Sequence, residues 1–298
     1  MALISSNCPD LKLIARGKVR DLYEVDEHSL LFVATDRISA FDVIMKNAIP
    51  GKGKILTQIS LFWFDLLKDV LPNHLITADF DKMPAHIQKY RDQLDGRSLL
   101  VKKIRVLPIE AIVRGYITGS GWSEYKRKGT ICDIELPKGL VESQKLPETL
   151  FTPSTKADIG DHDENIHPSK MVDILGDKAL ADKLTESAIA LYTKASEYAA
   201  SKGIIIADTK FEFGLDENNS LVLVDEILTP DSSRFWPAAT YKAGGAQDSF
   251  DKQYLRNYLE SIKFDKETSI ELPTDVIENT LAKYKEACKL LTGEDVKL

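Results

Sequence analysis

Cysteine is scarce, with three residues in a chain of 298. Cys8, Cys132 and Cys288 lie far apart and are odd in number, so they indicate neither a disulfide framework nor a CxxC metal site, and a reducing, cytoplasmic setting follows. Long apolar runs are absent too: Leu30 to Ala34 is one of the longest, and a membrane crossing needs about 20 such residues. Met1 to Leu13 has neither the basic start and apolar core of a signal peptide nor the Arg-rich helix of a transit peptide. Positive charge is in deficit, with Lys+Arg 39 against Asp+Glu 46 and a net charge of -7. That balance excludes a nucleic-acid surface or an anionic membrane as partner, while a local basic pocket for small anions stays open. No Walker loop, GxGxxG, HExxH, GxSxG or His-Arg-Asp triplet occurs. The common NTPase, zinc-protease and α/β-hydrolase readings lose their support.

What is present is ordinary for a globular chain: 43% hydrophobic and 29% charged residues. The length suits one large domain or two lobes. Short aliphatic and β-branched stretches at Leu13–Ala15, Val19–Val25 and Leu30–Thr35 predict an antiparallel meander. Helical spacing appears in Thr57–Val70, Lys178–Lys202 and Asp275–Leu291, with shorter helices at Gly119–Lys128 and Lys252–Ser261. Two strands, Ser98–Val106 and Ile109–Ile117, flank Leu107-Pro108 and suggest a lobe boundary near Val106, dividing 1–106 from 107–298. Thr130–His167, rich in proline and acids, reads as an irregular connection of functional kind. Ile204–Leu215 and Leu221–Glu226 predict a hairpin, followed by a loop. Cys288 falls on the apolar stripe of the last helix and reads as core.

The densest chemistry lies in Ile204-Ile205-Ile206-Ala207-Asp208-Thr209-Lys210-Phe211-Glu212-Phe213-Gly214. Strand alternation puts Asp208, Lys210 and Glu212 on one face. The hairpin partner also ends in acids, so Glu212 and Asp225 converge; together they suit Mg²⁺, which takes one or two carboxylates and completes its shell with water and phosphate. An ion pair with Lys210 is the competing account. In Val106–Gly121, Arg114 ends an apolar strand and Thr118-Gly119-Ser120 opens a helix, a phosphate-binding arrangement if it is more than a serine cap and a surface arginine. Residues 101–130 hold seven Lys or Arg against Glu110 and Glu124, an excess of five.

Weaker signals complete the set. Arg16-Gly17-Lys18-Val19-Arg20 puts a glycine and cations at a tight connection, fit for polyphosphate or for an ordinary hairpin. Thr35-Asp36-Arg37-Ile38-Ser39 and Thr229-Pro230-Asp231-Ser232-Ser233-Arg234 each follow a strand, where binding residues concentrate. His162 and His167 are readable as metal ligands or as solvated loop residues.

Taken together, Pro-Ile-Glu-Ala-Ile-Val-Arg with Thr-Gly-Ser (108–120) and Asp-Thr-Lys-Phe-Glu-Phe-Gly (208–214) resemble the signature stretches of the SAICAR synthetase family, the phosphoribosylaminoimidazole-succinocarboxamide synthases. Phe151–Lys156, Asp225-Glu226, Asp231–Arg234 and Asp251-Lys252 extend the likeness over nearly the whole chain, in a length resembling the fungal form. The resemblance implies an α+β fold, distantly kinase-like, with an antiparallel-sheet N-terminal lobe, a larger mixed α/β C-terminal lobe and ATP in the cleft between them. It implies ligation of L-aspartate to the carboxylate of the ribonucleotide CAIR through an acyl phosphate, in a cytoplasmic monomer. By motif, Lys18, Arg20 and Lys102 would serve ATP, and Glu212 and Asp225 would hold Mg²⁺. Arg114, Ser120, Arg234 and Arg256 would bind the ribonucleotide, with Lys210 and Asp208 at its reacting end. Asp36, Arg37, Ser39 and Lys156 would be further substrate contacts. A small-molecule kinase and a non-catalytic nucleotide sensor are the alternatives.

Overall fold

Alternating apolar residues build the first sheet. In the computed structural model, which describes residues 2–156 and 164–298, β1 (Lys12–Arg16), β2 (Arg20–Glu24) and β3 (Ser29–Ala34) form the expected meander. Tyr23, Leu31 and Val33 turn to one face and pack on Phe80, Met83, Ile87 and Leu94. A tight hairpin, β4 (Ser39–Ala40) and β5 (Val43–Ile44), precedes helix α1 (Lys52–Leu67). After β6 (Leu75–Thr77), the single turns α2 (Ala85–Gln88) and α3 (Arg91–Leu94) cover the meander, and β7 (Ser98–Lys102) completes the order β1-β2-β3-β7-β6.

Helix α1 begins five residues before the apolar spacing predicts. Lys52-Gly53-Lys54 carries no apolar period, yet the Asp36 carboxylate accepts from the Gly53 amide at 2.9 Å and caps the helix from a distant segment. Gly53 has a steric reason to be there: a Cβ would stand 2.2 Å from the Ala34 carbonyl oxygen.

The second sheet starts with β8 (Arg105–Tyr116), one unbroken strand rather than two flanking Pro108. A register irregularity opposite, between Glu212 and Gly214, lies where the proline has no N–H to give. Helix α4 (Gly119–Lys128) and the hairpin β9 (Thr130–Ile131) and β10 (Ile134–Glu135) follow. The supposedly irregular connection holds two more strands, β11 (Lys145–Phe151) and β12 (Ser154–Thr155), both antiparallel to β8. Pro147 is tolerable in β11 because the strand lies at the sheet edge.

Helices α5 (Lys170–Leu175) and α6 (Lys178–Ser201) lead to β13 (Ile204–Leu215) and β14 (Leu221–Val224). The loop expected after that hairpin contains a strand, β15 (Ser233–Pro237). Its short polar start hides it, but it pairs with the first half of β13 while β14 pairs with the second half. Helices α7 (Gln253–Ser261) and α8 (Thr274–Thr292) close the chain. Among the described residues every pairing between these strands is antiparallel, and the class is α+β as expected. The first sheet draws only on residues up to Lys102 and the second on residues from Arg105, yet α1, α6, β13 and α8 share one core that includes Trp63, Leu191, Phe211 and Tyr284. Cys8, Cys132 and Cys288 are free and buried.

Candidate active site

Between the stretches of β13 that pair with β15 and with β14, the Lys210 amide donates to Ser232 at 3.1 Å, and around it the charged row emerges. Its order along the strand is Asp208, Lys210, Glu212, and each finds partners from neighbouring elements. Lys210 Nζ lies 2.5 Å from Glu110 on β8 and 3.0 Å from Glu212. Register makes the contact, since Glu212 and Glu110 are directly paired. Lys156 forms a second ion pair with Glu212. On the β14 side, Arg20 reaches Asp225 at 2.8 Å and Glu226 at 3.3 Å. Four carboxylates, Glu110, Glu212, Asp225 and Glu226, thus share three cations, Lys156, Lys210 and Arg20.

That imbalance shows in the protonation equilibria. Burial, only partly offset by Arg20 and reinforced by Glu212 and Glu226, pushes the Asp225 carboxyl up to about 6. Glu212 goes the other way: burial opposes its charge, but Lys210 and Lys156 hold it down to about 2. Lys210 stays protonated well above its ordinary range, because Glu212 and Glu110 outweigh its desolvation. Among the described residues no three His, Cys, Asp or Glu side chains form a metal cage. Two oxygen donors with surplus negative charge do fit a magnesium ion that takes the rest of its shell from water and phosphate.

A cavity of about 400 Å³ opens beside these carboxylates. Its walls are Gly17, Leu22, Leu30 and Phe32 from the first sheet, Lys102 and Ile104 from the crossing between sheets, and Lys156, Glu212 and Asp225 from the second. Lys102, expected to serve ATP, lies on the wall of this cavity. Lys156 stands here too, on Glu212, rather than beside the arginines.

A second cavity, about 610 Å³, lies towards the other end of the row. Thr118, Gly119, Ser120, Arg234, Gln253 and Arg256 line it, with Asp42 at its edge. Asp208 gathers the arginines, accepting from Arg114 at 3.0 Å and from Arg234 at 2.7 Å. Arg114 is buried one layer behind the wall: its guanidinium also donates to Thr152 and to Ser120, which faces the cavity. Burial lowers the pKa of both Arg114 and Arg256, and Arg234 lowers that of Arg256 further. Gly119 has a φ of +54°, which favours glycine, and a Cβ there would meet Arg234 Nη2 at 2.2 Å.

Two expected substrate contacts have structural work instead. Asp36 is fully buried and accepts from the Leu3 and Gly53 amides and from Arg97. Arg37 donates to the carbonyls of Lys18, Gly17 and Arg20 and to Asp21 at 2.8 Å, so it shapes the glycine loop from beneath. Ser39, partly exposed, starts β4. Lys18 is exposed and ion-pairs with Asp42, bridging the glycine loop to the edge of the larger cavity. His167 makes a local turn with Ser169, and His162 lies outside the described residues. The sequence reading missed Glu110, whose role depends on strand register, and a buried knot in which Lys52 and Lys252 share Asp231 at 2.8 and 3.4 Å while Tyr284 donates to it.

The family model for SAICAR synthetase matches residues 13–272. A phosphoribosylaminoimidazole-succinocarboxamide synthase from Maridesulfovibrio salexigens is 55% identical over 295 residues, covering 99% of this chain and 98% of its own. The solved SAICAR synthase from Saccharomyces cerevisiae, complexed with SAICAR, matches with a TM-score of 0.90 and 51% identity over 99% of both chains. A further solved structure, a SAICAR synthetase in complex with ADP, matches with a TM-score of 0.71 and 29% identity over 95% of this chain and 99% of its own. Fold, site and relatives define an enzyme, a ligase of purine biosynthesis. The chain belongs to the SAICAR synthetase family. Its likeness to the fungal form extends to a bacterial relative at equal strength.

Proposed function

We propose that the chain joins L-aspartate to the carboxylate of CAIR with ATP, giving SAICAR, ADP and phosphate, and that the two cavities divide the work. The observation that carries this is the placement of β13, whose residues 208–212 run from the arginine-walled cavity to the carboxylate floor of the other. ATP occupies the smaller cavity, its base against Leu22, Leu30 and Phe32 and its phosphates towards the glycine loop with Lys18 and Arg20. Glu212 and Asp225 would hold Mg²⁺, which supplies charge neutralisation at the phosphates when bound. The ribonucleotide phosphate lies against Ser120, Arg234 and Arg256, with Arg114 holding Ser120 and Asp208 in place. The N-terminal lobe is assigned to residues 1–106 and the C-terminal lobe to 107–298, a division that falls just inside the start of β8.

A carboxylate is a poor electrophile. Transfer of the γ-phosphoryl to the CAIR carboxylate turns it into an acyl phosphate; the aspartate amine then adds to that carbonyl, phosphate leaves, and the amine proton passes to solvent. Lys210, protonated and between the cavities, neutralises the carboxylate as phosphate approaches and aligns it for transfer. Asp208 fixes Arg234 and Arg114 on the ribonucleotide side. The monomer rests on the resemblance alone, and three buried thiols with these substrates support the cytoplasm. No helix among the described residues is long and apolar enough to cross a membrane.

A coupled assay for ADP, run with each substrate omitted in turn, tests the reading. ADP formation that requires CAIR, and phosphate release that requires both CAIR and aspartate, is expected. ATP turnover on a hydroxyl acceptor without aspartate would instead establish a small-molecule kinase, and binding of ATP with no turnover a nucleotide sensor.

A further inference from the structure

Asp251-Lys252 is a matched motif to which the reaction gives no role. Asp251 is fully buried, and its two carboxylate oxygens go to main-chain amides of two different elements. Oδ2 accepts from Phe235 on β15 at 2.8 Å, and Oδ1 from Gln253, the first residue of α7, at 2.7 Å. Further bonds lace the same two segments together. The Phe250 amide donates to the Phe235 carbonyl at 2.9 Å, the Lys252 amide donates to the Pro230 carbonyl at 3.2 Å, and Lys252 Nζ lies 3.4 Å from Asp231.

The residues beside these bonds are the arginines of the larger cavity. Arg234 immediately precedes Phe235, Arg256 lies one turn into α7, and both line the cavity. Arg234 is braced at its tip by Asp208 at 2.7 Å. Among the described residues, the Arg256 guanidinium meets only Gln253 Oε1 of its own helix, at 3.5 Å, so its place follows from where α7 begins. Burial and Arg234 both work against the charge on Arg256, and the two guanidinium groups are therefore held on one wall in spite of their repulsion. A buried carboxylate is a costly tie between two segments, and burial raises its pKa. What it supplies that a hydroxyl or an amide lacks is two acceptor oxygens at once.

We propose that Asp251 is a positioning residue for phosphate binding: by accepting one main-chain amide from β15 and one from α7, it fixes the span across which Arg234 and Arg256 grip the ribonucleotide phosphate. This rests on the reading of those two arginines as the phosphate site of the larger cavity. Asp251 touches no substrate and acts through the arginines alone.

The test uses the full chain and measures dissociation constants for CAIR and for its nucleoside, which lacks the phosphate, together with kcat and the melting temperature. Asp251→Ser keeps an oxygen that can accept from Gln253, two residues on, and loses the reach to Phe235. It is expected to weaken CAIR binding about tenfold, the lower end of what losing one charge-assisted hydrogen bond costs, and to leave nucleoside binding and kcat at saturating CAIR within about twofold. Should Asp251→Ser not fold, Asp251→Asn, which keeps one acceptor oxygen, is read by the same ratio of the two dissociation constants. Equal weakening of CAIR and nucleoside, no weakening of either, or a fall in kcat with CAIR binding unchanged would each overturn the proposal. Arg234→Ala separates it from the reading beneath it. If Arg234→Ala weakens CAIR and spares the nucleoside while Asp251→Ser changes neither, the positioning role alone falls; if Arg234→Ala weakens both equally, the phosphate assignment falls and takes the proposal with it.

Discussion

The two cavities along β13 are opposites made from one strand. The smaller has apolar walls from the first sheet and a floor of carboxylates in excess over their cations; the larger is walled by polar groups and arginines. In the proposed reading an anionic substrate is met directly by guanidinium groups on one side, and on the other by carboxylates, which can hold a polyphosphate only through a metal ion. The difference teaches that sign of charge at a site does not report the sign of its ligand, and that a net charge of -7 is silent about both cavities.

Substitutions can break this contrast one side at a time. The largest effect is expected from Glu212→Gln or Asp225→Asn, which should lower kcat by about a thousandfold or more in steady-state assays, since phosphoryl transfer rests on charge neutralisation and alignment. CAIR binding, measured by separate titration, should stay within about twofold; a matching loss there would merge the two sites. Next comes Lys210→Met, expected to cost about 10²–10³ in kcat with little change in either KM, as for removal of one group stabilising developing charge. An effect confined to KM would make Lys210 a binding group only.

Smaller in kinetics but sharper in direction is Arg234→Ala. Loss of one charge-assisted contact, about 1.5–3 kcal/mol, should raise the KM for CAIR roughly ten- to a hundredfold while the KM for ATP holds. Equal changes in both would erase the distinction between the cavities.

The smallest direct effect on chemistry is expected at Asp231, in the loop that leads into β15 and Arg234. Lys252 and Lys52 hold its carboxyl well below the ordinary range in spite of burial. With the folded pKa depressed, its contribution to stability is complete above about pH 4, the unfolded value, and is lost as pH falls through the folded one. Asp231→Asn leaves two buried lysines without their counter-ion and should cost about 3–5 kcal/mol in denaturant unfolding at neutral pH. The penalty should shrink on acidification; a penalty independent of pH would contradict the ion-pair account.

Much of this was readable beforehand where one local pattern decides the outcome. The stripes of α6 and α8, the β1–β3 meander and the β13–β14 hairpin rest on apolar spacing, and the row Asp208, Lys210, Glu212 rests on alternation. What escaped depends on partners distant in the chain. Asp36 and Arg37 look like loop ligands until Gly53, Arg97 and the Gly17–Arg20 carbonyls arrive to occupy them. Strands β11 and β15 contain proline or begin with polar residues, and are strands because β8 and β13 offer them an edge. Glu110 joins the site only through the register of β8 against β13, which no spacing within either strand encodes.

In the proposed reaction, transfer across Lys210 joins the two cavities, and isotope labelling reads it directly. CAIR carrying ¹⁸O in its carboxylate should yield phosphate that contains one ¹⁸O atom per turnover, because the oxygen accepted by the γ-phosphoryl leaves with it when aspartate adds. Phosphate free of label, with SAICAR formed at the usual rate, would contradict the acyl phosphate and with it the placement of the reacting carboxylate between the two sites.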